Sequence, residues 1–235
     1  LHQRAMIVAI QFHDGDARKA LELARLIADI EPTYRCDVLL GLVCQPSTHT
    51  EEAERVALYC AAKMPTELFV SPRPPQDKKG CADLWAATVE HFAYNPRGHS
   101  FVCTFDGGDS APLRRTWLND LAAEHTATVA QGKTITGFSQ GSNFINANMM
   151  IELSVWRNCE ELRSRISRPL SHWIWEPQFY DILGPRVRLS PVIWSEYNSH
   201  GITVQWLRGL AEHSAWSHGW KDEDLVDKSR ELLII

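Results

Sequence analysis

Asp106 and Asp109, separated by Gly107 and Gly108, follow directly on an apolar run in the stretch SFVCTFDGGDSAP from Ser100 to Pro112. A buried strand that ends in acids delivers them to the carboxyl edge of a sheet, where open α/β proteins bind their ligands. Hard carboxylate oxygens there suit Mg2+ or Mn2+ bridging to a diphosphate. Glycines between the acids let the backbone turn sharply and approach a phosphate closely. The same four residues also make an ordinary Asp-Gly turn after a strand, so the rest of the chain has to supply the context.

The elements that would position these acids alternate. Ala5 to Phe12 is a short apolar run of strand type, and Ala17 to Ile30 carries Leu21, Leu23, Ala24, Ile27 and Ile30 at helical spacing. Asp37 to Cys44 reads as a second strand, Glu51 to Lys63 as a helix, Glu67 to Ser71 as a third strand, and the proline-rich Ser71 to Gln76 as a loop. Ala82 to Ala93 is helical, and the run from Phe101 is then the fourth strand. Such alternation with short loops predicts an α/β fold with a doubly wound, largely parallel sheet flanked by helices. After it come a helix near Trp117 to His125, a strand near Thr126 to Ala130, a polar Gly/Ser/Asn stretch from Gly137 to Asn143, and a helix over Ser154 to Ile166. The shift in composition near residue 126 divides a single domain, 1–235, into halves of 1–125 and 126–235 without marking a boundary between domains.

Composition narrows the function classes. At 235 residues, with 44% hydrophobic and 23% charged, the chain is long enough for one sizeable α/β domain. A net charge of −5 excludes a uniformly basic nucleic-acid coat, so any nucleic-acid contact has to be regional. Six cysteines lie scattered without CxxC spacing, mostly in apolar patterns, which predicts free thiols in a reducing, cytoplasmic setting. No apolar run approaches the length of a bilayer span, and no basic-then-apolar leader precedes Ala5. Of nine tryptophans, all but Trp85 and Trp117 lie in the later half, a density that serves either a core or a stacking site.

Three separated segments together resemble the nucleotide-sugar glycosyltransferases of the GT-A fold, a Rossmann-like, mostly parallel sheet. FDGGDSAP is similar to the family's DxD motif, which binds a divalent cation and the donor's diphosphate. FINANMMI, Phe144 to Ile151, is similar to the segment between the metal site and the acceptor region. Trp216-Ser217-His218-Gly219-Trp220-Lys221-Asp222 resembles the late HG-x-K-D segment, whose histidine adds a metal ligand. The DxD spacing is not kept: two glycines, rather than one residue, separate Asp106 from Asp109, and either acid could touch the metal.

The resemblance implies a metal-dependent transfer of sugar from a nucleotide diphosphate to an acceptor hydroxyl, with residues 1–125 as the nucleotide-binding half and 126–235 as the acceptor half. Asp106, Asp109 and His218 would hold Mn2+ or Mg2+, and Lys221 would add positive charge at the phosphates. The leaving diphosphate gains negative charge that the cation neutralises. The nucleotide would meet Phe12 or His13 at its base and Asp14 or Asp16 at its ribose, with Asp16 otherwise capping the helix from Ala17. A UDP-sugar is the expected donor. Asn143, Asn146 and Asn148, with Ser139 and Ser142, offer partners for sugar hydroxyls. Glu176, in Trp175-Glu176-Pro177-Gln178, falls where inverting members place their catalytic base, beside Trp175.

For the acceptor, the chain looks like the compact phage enzymes that glycosylate hydroxymethylated pyrimidines in DNA, which would act in the host cytoplasm, and equally like bacterial surface-glycan transferases. Arg157, Arg163, Arg165 and Arg168 cluster around one expected helix, with Arg186 and Arg188 downstream, and could track DNA phosphates. Trp173, Trp175 and Trp194 could stack an extruded base. Against these stand a non-catalytic nucleotide- or glycan-binding module and a nucleotidyltransferase, which also needs strand-end acids for Mg2+ but has no use for the HGWKD segment.

Overall fold

The computed structural model of the chain describes residues 5–73, 81–138, 146–166 and 176–234. The first half builds the regular part: β1 (Met6–Phe12), α1 (Ala17–Ile30), β2 (Val38–Cys44), α2 (Glu51–Cys60), β3 (Thr66–Val70), α3 (Cys81–Tyr94) and β4 (Phe101–Asp106). All four strands run parallel, with Ile10 of β1 beside Leu42 of β2 and Phe105 of β4. They read as unbroken apolar runs because both faces are covered. Met6, Val8, Ile10 and Phe12 pack toward α1 and α2, while Ile7 and Ala9 join the opposite core with Trp85, Val89 and Phe92 of α3.

The rest of the chain extends this sheet and adds another. It comprises β5 (Ser110–Pro112), α4 (Trp117–Ala130), β6 (Ile135–Gly137), β7 (Met149–Glu152), α5 (Leu153–Asn158), α6 (Glu160–Ile166), α7 (Glu176–Leu183), β8 (Val187–Leu189), β9 (Ile193–Ser199), α8 (Val204–Leu210), β10 (Trp216–Trp220) and α9 (Leu225–Ile234). The seven-stranded sheet has the order β3-β2-β1-β4-β7-β6-β8, with β7 antiparallel to β4 and β6. The three-stranded sheet has the order β5-β10-β9. It packs on the larger one through Trp216, which stacks on Phe105 with ring centroids 4.0 Å apart. Trp220 on β10 packs with Ile202, Leu207 and Leu225 around α8 and α9. Both sheets draw strands from either side of residue 126.

Two expectations need correction. Thr126 to Ala130 is the last turn of α4 and not a strand: the Thr126 and Thr128 hydroxyls donate to the Ala122 and Glu124 carbonyls one turn back, and Leu121, His125 and Thr128 share the buried face. The alternation of small and β-branched residues in TATVA imitates strand spacing while satisfying a helix. The helix expected over Ser154 to Ile166 is two, because the backbone leaves helical angles at Cys159 (φ −112°, ψ 88°). Trp85, Trp117, Trp156 and Trp216 are fully buried, so the core takes these four tryptophans. Among the described residues, no helix is long and apolar enough to cross a membrane.

Candidate functional site

β4 carries Asp106 to the carboxyl edge of the sheet, and three contacts shape the turn that follows. The Gly107 N–H donates to the Gln11 carbonyl (2.8 Å), the Asp106 N–H to Asn148 Oδ1 (2.9 Å), and the Gly108 N–H to Asp106 Oδ1 (3.0 Å). The two glycines are required by close approach. A Cβ on Gly107 would lie 2.5 Å from the Ala20 Cβ, and one on Gly108 would lie 2.8 Å from the Asp16 Cβ. The turn thus nestles against the start of α1 before β5 begins.

Residues distant in sequence complete the site. Asp106, Asp109 and His218 each offer a ligand atom within 4.8 Å of the others. His218 comes from the centre of β10, where its neighbours are Ser110 of β5 and Ser195 of β9. Its Nδ1 shares a hydrogen bond with the Ser195 hydroxyl (3.2 Å), which leaves Nε2 facing Asp109 Oδ1 at 3.1 Å. Gly219 then turns the chain at φ +98°, so close to Glu196 that a Cβ there would fall 1.8 Å from the Glu196 carbonyl oxygen. After this turn Lys221 reaches back, and its Nζ donates to Asp109 Oδ2.

Burial and charge set the protonation of the cluster. Asp106 is pushed up to about 7, first by burial and then by the neighbouring Asp109 charge. Burial acts on Asp109 in the same direction, but His218 and Lys221 outweigh it and hold that carboxyl at about 2. His218 is lowered by burial and raised more strongly by Asp109, with a net rise. Asp109 Oδ1 is buried and faces His218 Nε2 at 3.1 Å as an ion pair, without a well-aligned hydrogen bond. Two carboxylate charges this close repel each other, and a hard divalent cation is a partner that their oxygens suit. The donor set of two carboxylates and an imidazole therefore fits the Mn2+ or Mg2+ expected from the sequence.

The other expected residues fare differently. His13 is about half exposed, with Nδ1 accepting the Gly15 N–H, and Asp14 is exposed beside it. Phe12 is 1% exposed and packs in the core, so its ring is not offered to a nucleotide base. Asn148 is buried, with its side-chain oxygen on the Asp106 N–H and its amide donating to Asn146 Oδ1. Both asparagines thus brace the acidic turn. Glu176 is the first residue of α7, while Trp175, Trp173, Ser139, Ser142, Asn143 and Arg168 lie outside the described residues. Arg157 donates to the Ala93 carbonyl, Arg163 to the Arg157 carbonyl, and Arg165 and Arg188 pair with Glu161 and Glu124.

Two residues take parts that the sequence reading did not give them. Asp16 precedes α1 but makes no side-chain cap; its Oδ1 accepts the His13 N–H (2.7 Å), and its carboxyl lies against Gly108. Burial raises its pKa, and the Asp109 charge adds to that rise. Ser195 orients His218, a role visible only once β9 is laid in register beside β10. The nearest signal for Asp16 was its place in the HDGD loop at the end of β1.

No protein-family model matches the sequence, and no curated protein sequence does. Solved structures do resemble the fold. Galactosyltransferase LgtC, in complex with donor and acceptor sugar analogs, superposes with a TM-score of 0.54 at 12% identity, over 97% of this chain and 95% of that one. A cytidylyltransferase from Leptospira borgpetersenii gives 0.53 at 12% identity, over 79% and 75%. Mannosyltransferase PcManGT from Pyrobaculum calidifontis, in complex with GDP-Man and Mn2+, gives 0.51 at 12% identity, over 80% of this chain and 54% of that one. The seven-stranded, mostly parallel sheet with its acidic fourth strand and its small second sheet is thus a GT-A architecture.

Proposed function

We propose that the chain is a metal-dependent glycosyltransferase that moves a sugar from a nucleotide-diphosphate donor to an acceptor hydroxyl. The observation that carries this is the Asp106, Asp109 and His218 set, two carboxylates and an imidazole with ligand atoms within 4.8 Å of one another, at the carboxyl edge of the sheet. Those three residues would hold Mn2+ or Mg2+, and the bound cation would neutralise charge developing on the leaving diphosphate. Lys221 supplies a further positive charge for the phosphates. His13, Asp14 and Asp16, at the end of β1, are the groups nearest in the fold for the nucleoside, with a UDP-sugar as the first donor to try. Asn146 and Asn148, which brace the acidic turn, would be near the donor sugar. Glu176, with Trp175 before it, is the proposed base for the acceptor hydroxyl. The five described free thiols suit a reducing cytoplasm.

Of the arginines that suggested DNA, Arg157, Arg163, Arg165 and Arg188 have partners within the protein, which weakens the support they lent to a hydroxymethylated pyrimidine acceptor. A glycan hydroxyl is therefore tested beside modified DNA on equal terms. The likeness to a cytidylyltransferase keeps nucleotidyl transfer as the competing chemistry, and the His218–Lys221 segment on the second sheet favours sugar transfer. The experiment offers nucleotide-sugars with modified DNA, unmodified DNA and simple glycans, and weighs the acceptors. Gain of a hexose mass with release of nucleoside diphosphate supports the proposal. Gain of a nucleotide mass with release of pyrophosphate from a nucleoside triphosphate overturns it, and tight donor binding with no turnover identifies a binding module. Glu176→Gln should preserve donor binding and slow transfer about a hundredfold or more, the usual worth of a positioned base; undiminished transfer clears Glu176 of that role.

A further inference from the structure

Asp109 is already paired with a cation that the chain itself provides. Its side chain is 3% exposed, whereas Lys221, whose Nζ holds Oδ2, is 41% exposed. The carboxylate is fixed from several sides. Its backbone carbonyl accepts the N–H groups of Gly219 (3.0 Å) and Trp220 (3.3 Å), and His218 faces Oδ1. The Lys221 backbone is fixed too, donating to the Ser199 carbonyl at 2.8 Å, but its four-carbon stem has solvent to swing into. A divalent ion at Asp109 and an ammonium on the same carboxylate repel each other at contact distance. Of the two partners, only the lysine side chain has room to leave.

We propose that Lys221 is the resident counter-ion of Asp109, that a divalent cation displaces it, and that the displaced ammonium then takes the donor's diphosphate. This rests on the glycosyltransferase reading above and gives Lys221 a second duty within it: metal binding releases the lysine, and the released lysine increases affinity for the diphosphate. The metal and the diphosphate are then coupled through one side chain as well as through direct ligation, and such coupling is reciprocal.

The test uses Mn2+ alone, followed by UDP. Free aquo-Mn2+ is counted by its paramagnetic resonance signal during titration of wild type, Lys221→Met and Lys221→Gln, with circular dichroism confirming that each variant is folded. The glutamine variant retains a hydrogen-bond donor for Asp109 should the methionine variant fail to fold. Removing the resident charge should tighten binding of Mn2+ alone by about tenfold, the scale of ordinary site-to-site coupling. In saturating Mn2+, the same variants should bind UDP more weakly than wild type, so that the gain in UDP affinity on adding Mn2+ shrinks. Unchanged or weaker Mn2+ binding in folded variants, with wild type still binding Mn2+ and UDP together, overturns the displacement and leaves the glycosyltransferase reading standing. A wild type that binds no Mn2+ at all overturns both.

Discussion

The four parallel strands of the first half and the small β5-β10-β9 sheet contribute to one site by different physics. β1, β2 and β4 are buried on both faces, and their side chains interlock with helices on either side. The small sheet is stitched from residues 110–112, 193–199 and 216–220, with five residues in its central strand. Its tie to the larger sheet at the site is polar: Asp109 against His218 and Lys221, and the Ser110 hydroxyl near Asn148 Oδ1 at 3.4 Å. Both regions are dry where they meet, through Trp216 on Phe105. The small sheet alone also brings to the site cationic partners of Asp109 that a ligand can rearrange.

The largest effect should come from the residue that joins the two regions. Asp109→Asn should lower Mn2+-dependent UDP affinity by a hundredfold or more in calorimetry, on the order of 3 kcal/mol, with the far-ultraviolet spectrum unchanged. His218→Ala should cost less, about tenfold, because a neutral imidazole supplies a ligand but no charge. Equal losses in the two variants would mean that the small sheet contributes as much to the cation as the acidic strand does. Gly219→Ala tests the region itself: at φ +98° with the Glu196 carbonyl in the way, it should destabilise the protein by at least about 2 kcal/mol, on the order of 5 °C in Tm. A wild-type Tm in that variant would show the turn to be dispensable.

The smallest effect is a dependence on pH. In the folded chain Asp106 is raised from 3.8 to about 7, so it keeps a proton that the unfolded chain releases across that window. Stability should therefore fall as pH rises from about 4 to 7 on its account. Asp106→Asn, measured with chelator present, should match wild type near pH 4 and exceed it at pH 8 by about 1 kcal/mol or more, ~2–4 °C in Tm. Identical Tm-against-pH curves would place Asp106 in a wetter setting than its neighbours indicate.

Legibility in the sequence follows the same division. Two-sided burial writes itself as unbroken apolar runs, so MIVAIQF, VLLGLVC and FVCTFD could be read as strands and the sheet as mostly parallel. Contacts between distant segments leave no local trace. Ser195 orients His218 from 23 residues away, and Asn148 holds the Asp106 N–H from 42 residues away. The family resemblance brought Asp106, Asp109, His218 and Lys221 together, and the structure adds their order: Asp109 at the centre, with His218 and Lys221 on its two oxygens. Of the two roles open to Asp16, the cap that an aspartate before a helix usually makes is absent, and nothing in its own neighbourhood reports that Gly108 lies against it.

The most direct measurement is a calorimetric titration of UDP into the wild-type protein with saturating Mn2+ and again with chelator. If a divalent ion completes the carboxylate and imidazole set and bridges to the diphosphate, affinity with Mn2+ should exceed that with chelator by at least tenfold. The same affinity in both would contradict a metal-bridged diphosphate site.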